Sequence, residues 1–329
     1  MTYNTARAPF LRRSDKLTHM TADVLITLVA LCIFSAFYYG FRPVLLVLVG
    51  MATAMLCETI ICLLLRRRPS VTDGTAAVTG ALIGMMMSPL SPYWLPAVAA
   101  AFAIVVVKMP FGGTGRNVFN PAAAGIAVVT QCFSARLFTY PDPSSGISLP
   151  LSGPLGSIPT ELSPAALIHN KGNPQYPWYT LLSGDFAGPI GATAVVVLAA
   201  CLLYLFIRRT VSPLTVLPYL VVCALIAAVF PRTAGSASAS VALELCSGYL
   251  LFGGIFLLTD PVTSPRYWLS RIVYGVLAGI LVMTLRHVGR FEEGVCFAIL
   301  LVNAIAPMLD RWCWRAVHFF AYRKEAVHS

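Results

Sequence analysis

Residues 111–125 read FGGTGRNVFNPAAAG, with four glycines, two asparagines and a proline set between two runs apolar enough to cross a membrane. Backbone N–H and C=O groups cannot be left bare in lipid, so non-helical chain at membrane depth persists only where protein buries it or where it lines a cavity. Gly112, Gly113 and Gly115 permit turns and close approach of a ligand to the backbone. Asn117 and Asn120 donate and accept hydrogen bonds, and Pro121 suits the first turn of a new helix, whose N-terminus is an anion or carbonyl site. On these residues alone a re-entrant structural loop and a ligand-binding loop are equally compatible.

Working outward, the 329-residue chain is 58% hydrophobic and only 11% charged, with a mean hydropathy of +0.78. An average soluble domain is about a quarter charged, so the composition is that of an integral membrane protein. The first apolar run follows Arg7, Arg12, Arg13 and Lys16 with no small-residue cleavage site after it, which predicts a retained signal anchor.

Apolar segments long enough to span, or to span as broken helices, fall near 22–40, 43–65, 76–92, 93–110, 118–133, 190–207, 213–230, 238–258, 268–286 and 294–309. If both termini face the cytoplasm, only Arg42, Arg136, Lys171, Arg232, Arg286 and Arg290 of the 23 basic residues lie outside, as the bias of positive charge toward the cytoplasmic side requires. The net charge of +10 thus reads as an orientation signal. No basic stripe interleaved with aromatics marks a nucleic-acid surface. TGALIGMMMSPLSPYW (79–94) and SGYLLFGGIFLLTDPVTSPRYW (247–268) share a small-residue start, a Gly-rich middle, a Ser-Pro end and a Tyr-Trp pair. These point to two inverted five-helix repeats, the arrangement that often places broken helices and a binding site near the midplane.

The expected fold is therefore an all-α polytopic membrane protein of about ten transmembrane helices. It comprises a cytoplasmic segment 1–21, repeats at 22–133 and 190–309, an extracytoplasmic loop at 134–189 and a cytoplasmic tail at 310–329.

Asp23, Glu58 and Glu244 fall at or within apolar segments. Ionisable groups there are costly and mark functional positions, so these three are the candidates for ion coupling, Glu58 first; the competing reading of Glu58 is a glutamate protonated or paired with a neighbouring helix. The nine cysteines form no CxxC pair and read as small hydrophobes. The five histidines lack the spacing of a zinc or haem pair, so no metal is expected.

Four segments, SVTDGTAAVTGALIG (70–84), FAIVVVKMPFGGTGRNVFNPAAAGIA (102–127), LTDPVTSPR (258–266) and EEGVCFAILLVNAIAPMLD (292–310), follow in order along nearly the whole chain. Together they resemble the successive signatures of the RnfD/NqrB family, and the length is more similar to RnfD. The resemblance implies a flavin-bearing membrane subunit of a redox complex that couples electron transfer to Na+ or H+ movement, and not a complete enzyme by itself. It also implies location in the inner (cytoplasmic) membrane, other subunits as partners and an extracytoplasmic flavinylated protein among them.

Such proteins attach FMN through a phosphoester to a threonine in Asp-x-x-(Ser/Thr)-Gly-Ala-Thr on the long outer loop. The matching stretch here, TELSPAALIHNKG (160–172), keeps Ser163 and Ala165, but has Thr160 for the aspartate, Pro164 for the glycine and Ala166 for the acceptor threonine. IGAT (190–193) ends in the right letters, which makes Thr193 a weaker candidate for covalent attachment; Asp185 lies eight residues before it where the motif wants six. The expectation is a flavin, riboflavin or FMN, held without a covalent bond. Its site would be formed by Gly112, Gly113, Gly115, Asn117 and Asn120 from one loop and Thr259, Asp260 and Thr263 from the other. The aspartate could equally be a helix cap or an ion-pair partner of Arg266. Two other functions compete: a cofactor-free scaffold for an extracytoplasmic flavoprotein, and a channel or carrier for a small neutral solute.

Overall fold

A computed structural model of the chain describes residues 13–66, 73–143, 149–151, 158–174, 176–233 and 236–328. The first half holds α1 (Arg13–Tyr39), α2 (Arg42–Leu64), α3 (Thr75–Met85), α4 (Trp94–Phe102) and α5 (Pro121–Leu137). The connection that follows carries a two-residue antiparallel pairing of β1 (Tyr140–Pro141) with β2 (Thr160–Glu161). It also carries two one-turn helices, α6 (Pro164–His169) and α7 (Trp178–Ser183). The second half holds α8 (Val195–Ile207), α9 (Pro213–Val229), α10 (Ala237–Cys246), α11 (Leu250–Phe252), α12 (Trp268–Val288) and α13 (Val295–His328).

Each of the ten apolar segments contains helix, but their lengths differ from the sequence expectation. Four helices are long and apolar enough to cross a membrane, namely Leu17–Tyr39, Arg42–Leu64, Trp268–Val288 and Val295–Val317; α10 and the stretch Leu250–Leu257, bent by 65° at their junction, form a fifth span if taken together. α3, α4 with its extension, α8 and α9 are shorter apolar helices. The segment expected at 76–92 stops at Met85, because Ser88-Pro89 and Ser91-Pro92 follow and the residue before a proline is driven out of the helical region. The outer faces are apolar, with Ile33, Phe37, Leu56 and Leu63 all exposed, as a surface against lipid requires.

Both copies of the repeated motif end in the same way. Tyr93 caps α4, which begins at Trp94, and Tyr267 caps α12, which begins at Trp268. α4 and α11 also continue into single π-helical turns, Ala103–Lys108 and Gly253–Leu257. These are fixed by bonds from Met109 N to Ile104 O at 2.9 Å and from Leu258 N to Gly253 O at 2.8 Å. Such turns are frequent at functional sites.

α3 is buried on nearly every side and lies against the backbone of α2. A Cβ at Gly80 would collide with the Gly50 carbonyl, and one at Gly84 would sit 2.5 Å from Val47 Cα. Small residues allow this approach where lipid offers no hydrophobic drive between helices. Gly80→Leu is expected to lower stability by about 3 kcal/mol or more, read as a fall in the unfolding midpoint in detergent; an unchanged midpoint contradicts the packing. Arg42, expected as an outer loop charge, is instead buried and staples the turn after α3. It donates to Pro89 O at 3.0 Å, Ser91 O at 3.1 Å and Pro150 O at 3.2 Å. A second small core of Ile168, Leu181, Phe186 and Leu243 seats α6 and α7 on α10.

Candidate functional site

The loop after α4 makes its turn through Gly112, Gly113 and Gly115, whose φ values of 106°, 87° and 84° lie where other residues are strained. This delivers Asn117 and Asn120 to the interior, both buried. Asn120 is the N-cap of α5: its Oδ1 accepts from Ala123 N at 3.1 Å, while its Nδ2 donates to Leu257 O at 3.0 Å. Leu257 ends the second π-turn, so one side chain ties the broken ends of the two halves together. With its amide nitrogen turned to Tyr274 Oη and Ile299 O, Asn303 of α13 accepts from Asn120 N at 2.9 Å. Asn303 was not anticipated; its signal was a lone amide in an apolar span.

Asp260 is neither a helix cap nor a partner of Arg266. Its Oδ1 accepts from Val262 N at 3.3 Å and its Oδ2 from Thr263 Oγ1 at 3.0 Å, so the carboxylate closes its own turn. The N-terminus of α12 is capped by Asp310 instead, which accepts from Arg266 N at 3.0 Å and Tyr267 N at 3.2 Å.

The two loops face one pocket of about 850 Å³ including its open mouth, within the size range of small-molecule sites. Gly115, Asn117, Asn120, Thr259 and Asp260 line it. Gly112, Gly113 and Thr263 do not; the glycines form the turn behind it and Thr263 holds Asp260. The faces are apolar, from Val24 of α1, Val78 and Leu82 of α3, and Ile255 and Phe256. One edge is polar. Lys108 Nζ donates to Thr75 Oγ1 and to Glu58 Oε2, each at 2.8 Å, and Thr75 Oγ1 lies 3.2 Å from Thr114 Oγ1. A slot with apolar faces and an edge of amides, hydroxyls and one ammonium could hold a flat heteroaromatic ring with its polar rim satisfied.

All three intramembrane acids carry basic partners. Glu58 pairs with Lys108, both almost fully buried, and Asp23 with Arg208 at 3.1 Å. Tyr204 Oη and Thr210 Oγ1 also donate to Asp23, at 3.2 and 2.8 Å. Glu244 accepts from Arg232 at 2.6 Å and Arg286 at 3.0 Å. Arg286, taken from sequence as an outer loop charge, is fully buried. It bridges Glu244 to Glu293 at 2.9 Å and donates to Ser247 O at 2.8 Å, filling the break between α10 and α11. Beside it Glu292, which lies between α12 and α13, accepts from Tyr140 Oη and Ser163 Oγ, each at 3.2 Å, and so holds the outer connection to the bundle. Burial, and then the neighbouring Glu293 charge, push the Glu292 carboxyl up to about 8. Burial likewise raises Glu293 against the opposing pull of Arg286.

The stretch that aligns with the flavin-attachment motif is built as a helix start. Ser163 is the N-cap of α6 and accepts from Ala166 N at 3.0 Å. Thr193 is buried, and its methyl packs against Gly188.

Comparison with known proteins agrees with this architecture. The family described as NQR2, RnfD, RnfE matches residues 4–318. The chain is 29% identical to the RnfD component of the ion-translocating oxidoreductase complex of Pectobacterium atrosepticum, over 94% of this chain and 97% of that one. It is 26% identical to the corresponding component of the proton-translocating ferredoxin:NAD(+) oxidoreductase complex of Clostridium ljungdahlii, over 94% of each. Identity to the RnfD component of the Escherichia coli ion-translocating oxidoreductase complex is also 26%, over 94% of this chain and 96% of that one. A match that runs through both halves of the bundle and both pocket loops places the chain in the NQR2, RnfD, RnfE family.

Proposed function

We propose that the chain is the RnfD-type membrane component of an ion-translocating oxidoreductase complex, and that it passes electrons through a flavin held without a covalent bond in the pocket between its two loops. The observation that carries the reading is the Asn120 bridge. Loops 137 residues apart meet through Asn120 Nδ2 and Leu257 O, and the pocket they enclose has apolar faces with a polar rim. When bound, a flavin supplies the one- and two-electron chemistry, and the protein supplies position and electrostatics. Asn120 and Thr259 hold the rim, Val78, Leu82 and Phe256 exclude water from the faces, and Lys108 keeps a positive charge at the edge.

The same reading takes the two halves as inverted repeats with both termini cytoplasmic, the complex in the inner membrane, and Glu58, Asp23 and Glu244 as the acids through which Na+ or H+ movement is coupled. A flavinylated extracytoplasmic protein is the partner proposed for the outer connection.

Asn120→Ala removes the donor to Leu257 O and the cap of α5, and binding of flavin is expected to weaken about tenfold or more. The measurement is flavin per protein released into the supernatant by acid precipitation. Full flavin content in a folded Asn120→Ala chain overturns the site. A second reading, a cofactor-free scaffold for that outer flavoprotein, is favoured by Ala166 standing where the acceptor threonine is expected and by Ser163 being engaged with Glu292. A colourless folded protein in an active complex establishes it, and colour retained in the acid pellet redirects attention to Thr193.

A further inference from the structure

Where α12 begins and α13 leaves the bundle, an open pocket of about 860 Å³ is lined by Arg266, Tyr267, Asp310, Arg311, Trp314 and Arg315. We propose that this pocket binds the phosphate headgroup of an anionic phospholipid. The inference rests on the membrane setting of the chain and is independent of the flavin site.

The charges there are unbalanced. Asp310 is the one acid of the lining, and both its oxygens are spent on the backbone N–H groups of Arg266 and Tyr267. Among the described residues no carboxylate forms an ion pair with Arg266, Arg311 or Arg315, and all three are exposed. Arg311 and Arg315 stand four residues apart on α13, so they share a helix face and repel one another. A bound phosphate reverses that repulsion and offers each guanidinium a two-oxygen partner.

The depth is that of a headgroup. Asp310 capping α12 puts the start of one candidate span level with the end of another. Around that level Trp268, Trp312 and Trp314 are all more than half exposed, at 52%, 55% and 55%, the pattern of aromatic residues at a membrane–water interface. Basic pockets between transmembrane helices on the cytoplasmic side recognise anionic headgroups. What distinguishes a lipid from a free phosphate is the surface below. Leu301, Ala304 and Met308 are exposed on α13 at the helical spacing that continues to Arg311 and Arg315, and this apolar stripe is where an acyl chain lies.

The test uses the full chain, delipidated in detergent and studied by native mass spectrometry with dioleoyl-phosphatidylglycerol, dioleoyl-phosphatidylcholine or inorganic phosphate added. Wild type is expected to bind phosphatidylglycerol about tenfold more tightly than phosphatidylcholine, a preference lost in Arg266→Gln/Arg311→Gln/Arg315→Gln and kept in Arg290→Gln. If the triple variant unfolds, Arg311→Gln alone must reduce the preference. Equal binding of the two lipids, a preference that survives the substitutions, or displacement of phosphatidylglycerol by millimolar phosphate overturns the proposal. So does protection of Arg315→Cys from a water-soluble maleimide by a neighbouring protein in the lipid-free complex, which would make the face a protein interface.

Discussion

Glu58→Ala is expected to destabilise the folded chain by roughly 3–5 kcal/mol, the usual cost of leaving one member of a buried ion pair without its partner. Glu58 is 0% and Lys108 is 3% exposed, with Nζ and Oε2 2.8 Å apart. Without the carboxylate, Lys108 keeps Thr75 Oγ1 as a neutral acceptor, and an ammonium in an apolar bundle must deprotonate or draw in water. Both routes loosen the wall that α2, α3 and the end of α4 present to the pocket. The pair itself carries little net stability, so Glu58→Leu/Lys108→Met is expected to recover most of the loss. The measurement is a double-mutant cycle of unfolding midpoints in detergent. Equal destabilisation by the single and the double variant would show that volume and not charge sets the cost. Glu58→Gln, which keeps shape and one hydrogen bond, separates stability from ion coupling: if the assembled complex translocates ions at an unchanged rate with this variant, Glu58 is a structural partner of Lys108 alone.

This pair illustrates how much of the molecule was legible in the sequence. Glu58 stood out because a charge within an apolar run is costly wherever it points, and an alternative reading of it was pairing with a neighbouring helix. Its partner did not stand out, because Lys108 sits at the end of its run and counted equally well as an orientation charge. The pocket shows the same division. Asn117, Asn120, Thr259 and Asp260 are polar residues flanking helix breaks, and they do line the cavity. Gly112 and Gly113 follow from the same glycine-rich pattern, yet their positive φ values serve the turn behind the cavity. Asn303 and Thr75 reach the site from helices whose patterns are continuous, so no local signal set them apart. The π-turns after α4 and α11 also left no composition trace; apolar periodicity tells where helix is favoured and not how its last turn is wound. Arg286 was the largest misplacement: its position near a helix end suggested an outer charge, whereas α10, α11 and the segment before α13 converge to enclose it.

Glu292→Gln is expected to change the pH dependence of stability more than any other single substitution in the outer cluster. A carboxyl lifted from 4.5 to about 8 in the fold keeps a proton that the unfolded chain releases. The folded state therefore binds more protons between those values, and stability falls as pH rises through them. The contribution is fully present below about 4.5 and gone above about 8, a span on the order of 4–5 kcal/mol at 1.36 kcal/mol per unit. The cause is geometric. Glu292 is 8% exposed, Glu293 lies next to it, and the guanidinium of Arg286 is already bonded to Glu293 and Glu244, so little positive charge is left for a second carboxylate. Glutamine copies the protonated acid in shape and can keep bonds to Tyr140 and Ser163. At pH 5 the variant and wild type should unfold at similar midpoints, and by pH 8 wild type should unfold at the lower temperature while the variant has barely moved. Parallel pH profiles would mean that Glu292 is ionised throughout, held by Tyr140 and Ser163 as a charged acceptor. Because those two residues belong to β1 and to the cap of α6, the same titration sets how firmly the outer connection is seated on the bundle, and the protection of Tyr140 and Ala166 amides from hydrogen exchange should decline over the same interval in wild type alone.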